Sequence, residues 1–362
     1  VPITTSSEKA REYYLKGREL LDKLKRKDAA EYFQKALELD PDFALAHLHY
    51  SIIAPNSQQI MEHLNRAVEL ADKVSAGERY KILGMEAYLT GQADEEREYY
   101  QKLVQDYPED ERAQLLMGNH YFFQNDYNRA LGYYRRAIEL NPNLSIAYNQ
   151  IGYTHRFLEN YQEAEEAFKQ YIKLVPKDPN PYDSYGDLLI KMGQFQESIN
   201  NYKKAIALDS NFASSYVGVA SNLNLLGRYQ EARQILNKGL STVQGELLQR
   251  MLRYGIVISY LDEEDFDAAL EQMTLLLEFD GQQRDTFHLA EDIGHVGDIY
   301  SRLEQFQKAR EQYTKAYQLF KSADIDPDIK SNTETSYLSR MARIAIKRGE
   351  IEKADEYLAE LE

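Results

Sequence analysis

Seven histidines, abundant carboxylates and no cysteine bound the chemistry open to this 362-residue chain. His295 and Asp298 are three residues apart, so on a helix they share a face and could supply two ligands of a metal site. No third ligand follows at a matching spacing. His47 and His49 are two apart and fall on different sides of a helix, which makes them packing or solvent-facing groups. Asp324, Asp326 and Asp328 alternate like the opening of a calcium-binding loop. The pattern then fails, because Pro327 intrudes, Ile329 stands where glycine is needed and Thr335 stands where a bidentate Glu is needed. The run Asp262-Glu263-Glu264-Asp265 reads as a solvated turn ahead of a helix, with carboxylates favourable at its N-terminus. No phosphate-cradling glycine loop, nucleophile elbow or His-Glu zinc helix is present. The absence of cysteine removes disulfides, thiolate nucleophiles and Cys-ligated zinc. The expectation is a protein that is not an enzyme and has no metal or cofactor.

Charge narrows the partners. Lys and Arg number 43 against 59 Asp and Glu, a net charge of −16. Nucleic acid and anionic membranes both need a basic surface, so neither is an expected partner. No apolar run approaches the roughly 20 residues of a membrane helix, which predicts a soluble chain without membrane insertion.

The elements that must position any site emerge from a period of 34 residues. From Glu111 the chain carries Gly118, Tyr121, Tyr127, Ala130, Tyr134, Ala137 and Pro142. One period on, the same slots hold Gly152, His155, Tyr161, Ala164, Phe168, Tyr171 and Pro176. Further copies hold Gly186, Phe195, Ser198, Tyr202 and Ala205, then Ala220, Tyr229, Ala232 and Leu236, while the first copy has Gly17, Ala29, Phe33, Ala36 and Pro41. Small residues at the eighth and twentieth slots let paired helices approach. The aromatic at the twenty-fourth is expected to fill the space between neighbouring repeats, and the proline ends the second helix. Most of the 29 tyrosines fall in such slots, so core packing explains them first. His155 occupies a core slot as well.

This pattern resembles the tetratricopeptide repeat family, which pairs two antiparallel helices per 34 residues. The resemblance implies an all-α fold, a right-handed superhelical α-solenoid of about ten helix-turn-helix repeats whose stability is a sum over repeats and their interfaces. Starts are expected near Ala10, Ala44, Gly77, Glu111, Ser145, Pro179, Ala213, Arg250, Ala290 and Thr335. Residues 1–9 form a lead and 10–242 a regular block of seven repeats. The second repeat is degenerate, because Pro55-Asn56 turns the chain early. Glu96 in the twentieth slot of the third predicts looser packing there. Residues 243–362 form a longer-period block of three repeats, continuous with the first. The Thr/Ser-rich opening resembles the mature start of exported bacterial repeat proteins and implies export.

In this family the first helices line a concave face. The corresponding slots here are Asn119 and Phe122, then Asn149, Tyr153 and Arg156, then Asp183 and Asp187, then Ser221 and Asn224. Amides of this kind can bond an extended peptide backbone in both directions. The resemblance therefore implies a non-enzymatic scaffold or adaptor that binds a protein or peptide in this groove. The alternative is a carrier or sensor holding a small polar ligand or glycan there. The clamp that chaperone-binding members build for a C-terminal carboxylate is not reproduced. The first and third repeats offer Tyr14, Arg18, Lys81 and Met85, and Asn119 and Asn149 lack the matching lysine.

Overall fold

The computed structural model describes residues 1–23, 25–54, 57–283, 286–322 and 327–361, with backbone alone at 57, 283 and 327–332. Every regular element among these residues is helical. The chain divides into two compact units, Val1–Gln194 and Phe195–Glu362.

The first unit holds α1 (Glu8–Asp22), α2 (Arg26–Leu39), α3 (Ala44–Ser51), α4 (Ser57–Leu70), α5 (Ala76–Leu89), α6 (Ala93–Asp106), α7 (Glu111–Phe123), α8 (Tyr127–Leu140), α9 (Ser145–Phe157), α10 (Tyr161–Leu174) and α11 (Asn180–Lys191). The second holds α12 (Phe195–Leu208), α13 (Ala213–Leu225), α14 (Tyr229–Thr242), α15 (Glu246–Asp262), α16 (Phe266–Gln283), α17 (Thr286–Arg302), α18 (Phe306–Ser322), α19 (Pro327–Lys347) and α20 (Ile351–Ala359). The first seven starts lie within two residues of the repeat frame. The last three first helices begin at Glu246, Thr286 and Pro327, ahead of the expected Arg250, Ala290 and Thr335. The extra length of these repeats lies on both sides of the turn, because α16 and α18 also run 18 and 17 residues against 14 for α8, α10, α12 and α14.

That turn fixes the frame. Counting from Gly77, Glu111, Ser145, Pro179, Ala213, Arg250, Ala290 and Thr335, the fifteenth residue is Gly91, Asn125, Glu159, Gly193, Gly227, Glu264, Glu304 and Gly349, and every one has a φ between 58° and 74°. A left-handed residue is what ends one helix and frees the chain to start the next. Glu159, Glu264 and Glu304 accept the penalty of a Cβ in that region. Helix starts are capped where the sequence allows. Ser75 and Glu78 form a reciprocal capping box ahead of α5, and Asp110 accepts from the Arg112 and Ala113 amides ahead of α7.

The eighth-slot glycines are spaces for aromatic rings. A Cβ at Gly152 would stand 2.6 Å from Phe168, one at Gly118 2.5 Å from Tyr134, and one at Gly17 2.8 Å from Phe33. The twenty-fourth-slot aromatic thus packs on the glycine of its own repeat in the first unit, not only between repeats as expected. In the second unit Tyr202 does face the following repeat, where it crowds Gly218. Phe33, Tyr134 and Phe168 are fully buried.

One local expectation is corrected. Glu96 is not a loose spot, because it is 5 % exposed and accepts a 2.8 Å hydrogen bond from Nδ1 of the similarly buried His120. The polar lead is tied down: Thr4 donates from its amide and hydroxyl to Glu78, and Ser6 donates its amide to Asp40. The Pro55-Asn56 turn lies outside the described residues. Around it, α3 stops at Ser51, and Ala67 of α4 is fully buried.

Candidate functional site

In the first unit the first helices touch one another directly, α3 with α5, α7 with α9 and α9 with α11. Side chains on their common face therefore lie side by side. Asn119 on α7 accepts at Oδ1 from the Tyr134 hydroxyl and from the Gln150 amide of α9, both at 2.9 Å. Tyr153 on α9 donates its hydroxyl to Asp187 at 3.1 Å and Ser184 at 3.3 Å on α11, and its ring stands edge-on to Phe168. Burial, with the Asp187 carboxylate next, pushes the Tyr153 hydroxyl pKa up, so it stays a donor. Asp183, one turn before Asp187, is 9 % exposed.

An aromatic ledge adjoins these amides. Phe122 meets Tyr127 and Phe157 edge-on at 5.6 Å, and Tyr127 stacks on Phe157 at 5.3 Å. Phe123 and Phe157 remain 54 % and 50 % exposed, a large outlay of apolar ring to leave in water. The Arg156 guanidinium lies 5.8 Å from the Tyr153 ring and 5.4 Å from the Phe157 ring, within cation–π range. Three buried polar atoms on this stretch of α9, Asn149 Oδ1, His155 Nδ1 and Arg156 Nε, have no hydrogen-bond partner among the described residues. Buried polar atoms are normally satisfied, so each such atom calls for an explanation.

The structure thus joins Tyr153 to Asp187 and gathers Phe122, Tyr153 and Arg156 around Phe157. Ser221 and Asn224 belong to the second unit. There they line a cavity of about 450 Å³ with Val217, Leu247, Met251 and Tyr254. The Asn224 amide is committed at both ends, donating to Asp262 at 2.9 Å and accepting from Ser259 at 3.0 Å.

One cluster escaped the sequence reading. Arg18, Lys81 and Arg112, from α1, α5 and α7, converge on a cavity of about 90 Å³ walled by Tyr14, Leu48, His49, Met85 and Leu115. Arg112 is clamped by Asp22, and Arg18 lies 5.8 Å from the Tyr14 ring. Burial pushes the Lys81 ammonium pKa down; Asp110, 3.5 Å away, opposes this, while Arg112 and Arg18 add to it. Burial likewise lowers His49 to about 4, and the same three cations push in that direction. Each residue was visible in the repeat slots, but only the fold shows that they share one space.

The rejected chemistry has structural explanations. Asp298 is taken by the Tyr313 hydroxyl and Arg340, each at 2.8 Å, and His295 turns to Asp292 at 3.3 Å, so the two are not a ligand pair. Among the described residues no group of three or more His, Asp or Glu could hold a metal ion. Asp324 and Asp326, and the Asp328 side chain, lie outside the described residues. In the acidic run, Asp265 caps α16 by accepting from the Ala268 amide. His47 donates from Nε2 to the Pro41 carbonyl at 2.9 Å, and its Nδ1 shares a hydrogen bond with Nδ1 of His63 at 2.9 Å, so both rings are engaged within the fold. Among the described residues no helix is long and apolar enough to cross a membrane.

Profiles described as tetratricopeptide repeat match residues 9–43, 83–110, 109–177 and 294–322, and one described as TPR repeat matches 186–220. No curated protein matches the chain. Among solved structures, the MamA protein is 22 % identical, covering 46 % of this chain and 91 % of its own, with a TM-score of 0.40. TTC0263, a thermophilic TPR protein of Thermus thermophilus, is 20 % identical over 48 % of this chain and 94 % of its own, also at 0.40. YrrB, titled a TPR protein with an unusual peptide-binding site, is 20 % identical over 50 % of this chain and 92 % of its own, at 0.36. The matched profiles together cover more than half of the sequence, and the left-handed turn recurs in frame at eight repeats: the chain belongs to the tetratricopeptide repeat family.

Proposed function

We propose that this protein is a non-enzymatic scaffold that binds an extended peptide segment of a partner across α7, α9 and α11. Asn119, Asn149, Tyr153, Asp183 and Asp187 address the peptide's polar groups. Phe122 and Arg156 flank its side chains. The observation that carries this reading is the pair of exposed rings, Phe123 and Phe157, with the Arg156 guanidinium over Phe157, beside the polar row of Asn119, Tyr153 and Asp187. Ser221 and Asn224 act separately, on the cavity of the second unit.

The test is selection from a displayed peptide library. Selected peptides should lose at least about tenfold in affinity on Asn149→Ala or Phe157→Ala, as interface anchors do. Asn149→Ala should leave the melting temperature nearly unchanged, because its oxygen makes no internal hydrogen bond to lose. Peptides that bind both variants as well as wild type would overturn the assignment. Export, implied by the Thr/Ser-rich lead, is part of the proposal and is checked by fractionating the source cells.

A second reading has its own observation. The cavity lined by Arg18, Lys81 and Arg112 fits a small carboxylate on an apolar stem, which would relieve the repulsion among three neighbouring cations. Such a ligand should raise the melting temperature of wild type and not of Lys81→Ala.

A further inference from the structure

A second concave surface lies at the other end of the sequence, within the second unit. A cleft of about 540 Å³ is bordered by α17 and α19. On α19, Ser336, Ser339, Arg340, Arg343 and Lys347 follow helical spacing and form one stripe facing it. Ser301 and Arg302 of α17 complete the opposite side. Four cations therefore line one cleft of a chain whose net charge is −16. Asp298 is the carboxylate in the lining, and it is consumed by Arg340 and Tyr313. Arg302, Arg343 and Lys347 make no ion pair among the described residues.

Arg340 is held in place by more than charge. Its guanidinium lies over Gly294, where a Cβ would stand 2.7 Å from Nη1, and 5.4 Å from the Tyr313 ring. The bare backbone at Gly294 makes room for it. Arg340 is thus fixed, while Arg343 and Lys347 stay exposed and able to reach a ligand. Fixed and adjustable cations with interspersed hydroxyls make a lining suited to several oxyanions in a row.

We propose that this cleft binds an acidic peptide segment, an extended stretch of protein carrying at least two Asp or Glu side chains. The stripe from Ser336 to Lys347 runs about 16 Å along the helix. That length matches about five residues of extended chain at roughly 3.3 Å each. A single compact anion would leave part of the row unused. The net charge of −16 disfavours such a segment over much of the remaining surface, which favours this cleft.

The experiment uses the full chain and a fluorescent hexaglutamate, acetylated and amidated so that only side-chain carboxylates carry charge. Anisotropy at low salt should show saturable binding that weakens as salt rises. The double substitution Arg343→Glu/Lys347→Glu should weaken it by about tenfold or more. Arg136→Glu, an exposed change in the first unit, should not. If the double reversal melts below wild type, Arg343→Gln/Lys347→Gln is the variant to read, with a smaller loss in the same direction. Absence of saturable binding overturns the proposal, as does equal loss with Arg136→Glu. Tripolyphosphate displacing hexaglutamate at a lower concentration of charge would also overturn it, assigning the cleft to small polyanions instead.

Discussion

The two units solve the same packing problem with different electrostatics. In the first, buried carboxylates have their own hydrogen-bond donors: Glu78 accepts from Thr4 and Ser75, Asp40 from Thr5 and Ser6, and Glu96 from His120. Its helices are kept close by glycines against rings, at Gly17, Gly84, Gly118 and Gly152. In the second, that glycine–ring device recurs within a single repeat at Gly297 against Tyr313, while Gly255 meets the flexible end of Leu236. Its core instead shares one cation between two buried carboxylates. Asp280 and Asp292 are 1 % and 0 % exposed, and Arg250 bridges them, 3.5 Å from the first and 2.9 Å from the second. The regular repeats satisfy buried carboxylates locally. The longer repeats, whose first helices gained residues upstream, recruit an ion cluster.

The largest effect that separates the units should come from breaking this cluster. Arg250→Ala leaves two buried carboxylates without their cation, and loss of one partner of a buried ionic group costs about 3–5 kcal/mol. Arg112→Ala in the first unit strips a cation from Asp22, which is 22 % exposed and can turn to water, so its cost should be clearly smaller. Denaturant unfolding of both variants checks the order. Equal losses would mean that the two ion groups are equivalent despite their burial.

Next comes shape. Gly152→Leu must displace the fully buried Phe168 ring, and overpacking typically costs about 1–3 kcal/mol, occasionally more. Gly255→Ala meets a Leu236 methyl at 3.0 Å, the far end of a side chain that can swing away, and should cost less than about 1 kcal/mol. Thermal melts of the two variants decide. A Gly255 variant as damaged as the Gly152 variant would show that the second unit is packed as rigidly as the first.

How much of this was legible follows from what each slot encodes. Glycine and alanine slots report helix-to-helix distance, a local property, so Gly118 and Ala130 announced close packing, while the ring that fills the space at Gly118, Tyr134 of the same repeat, was assigned to the gap between repeats. The left-handed fifteenth residue went unread because glycine, asparagine and glutamate all occupy it, so no residue type marks it. The longer period after residue 242 was legible, but the early starts of α15, α17 and α19 were not, because residues added before a helix leave the downstream pattern in frame. The site was legible as a set of slots but not as a set of bonds. That Asn224 is locked between Asp262 and Ser259, or that Arg18, Lys81 and Arg112 share one cavity, depends on how successive hairpins are rotated, and no single repeat records that.

The smallest of the contrasts is the response to acid, and the two units should differ in sign. His49 is packed between Tyr14 and Phe33, with ring centroids at 5.3 Å and 5.7 Å, and burial lowers its pKa to about 4 from an ordinary value near 6.5. The unfolded chain therefore binds the proton first as pH falls. The stability that His49 contributes is complete above about pH 6.5 and is lost between there and about pH 4. His47 and His63, also lowered chiefly by burial, act in the same direction. Asp280 runs the other way. Burial, and then a hydrogen bond to Asp292, raise its pKa to about 6, so the folded unit takes up a proton before the unfolded chain does. Its penalty is present at neutral pH and relieved as pH falls from about 6 towards the ordinary carboxylate range. Hydrogen exchange followed peptide by peptide from pH 7 to pH 5, corrected for the intrinsic exchange rate, separates the two. Helices α1–α4 should lose about 1–2 kcal/mol of protection, and α15–α17 should hold or gain. His49→Gln should remove most of the loss in the first unit without touching the second. Parallel losses in both units, unchanged by His49→Gln, would mean that surface carboxylates rather than these buried groups govern the acid response.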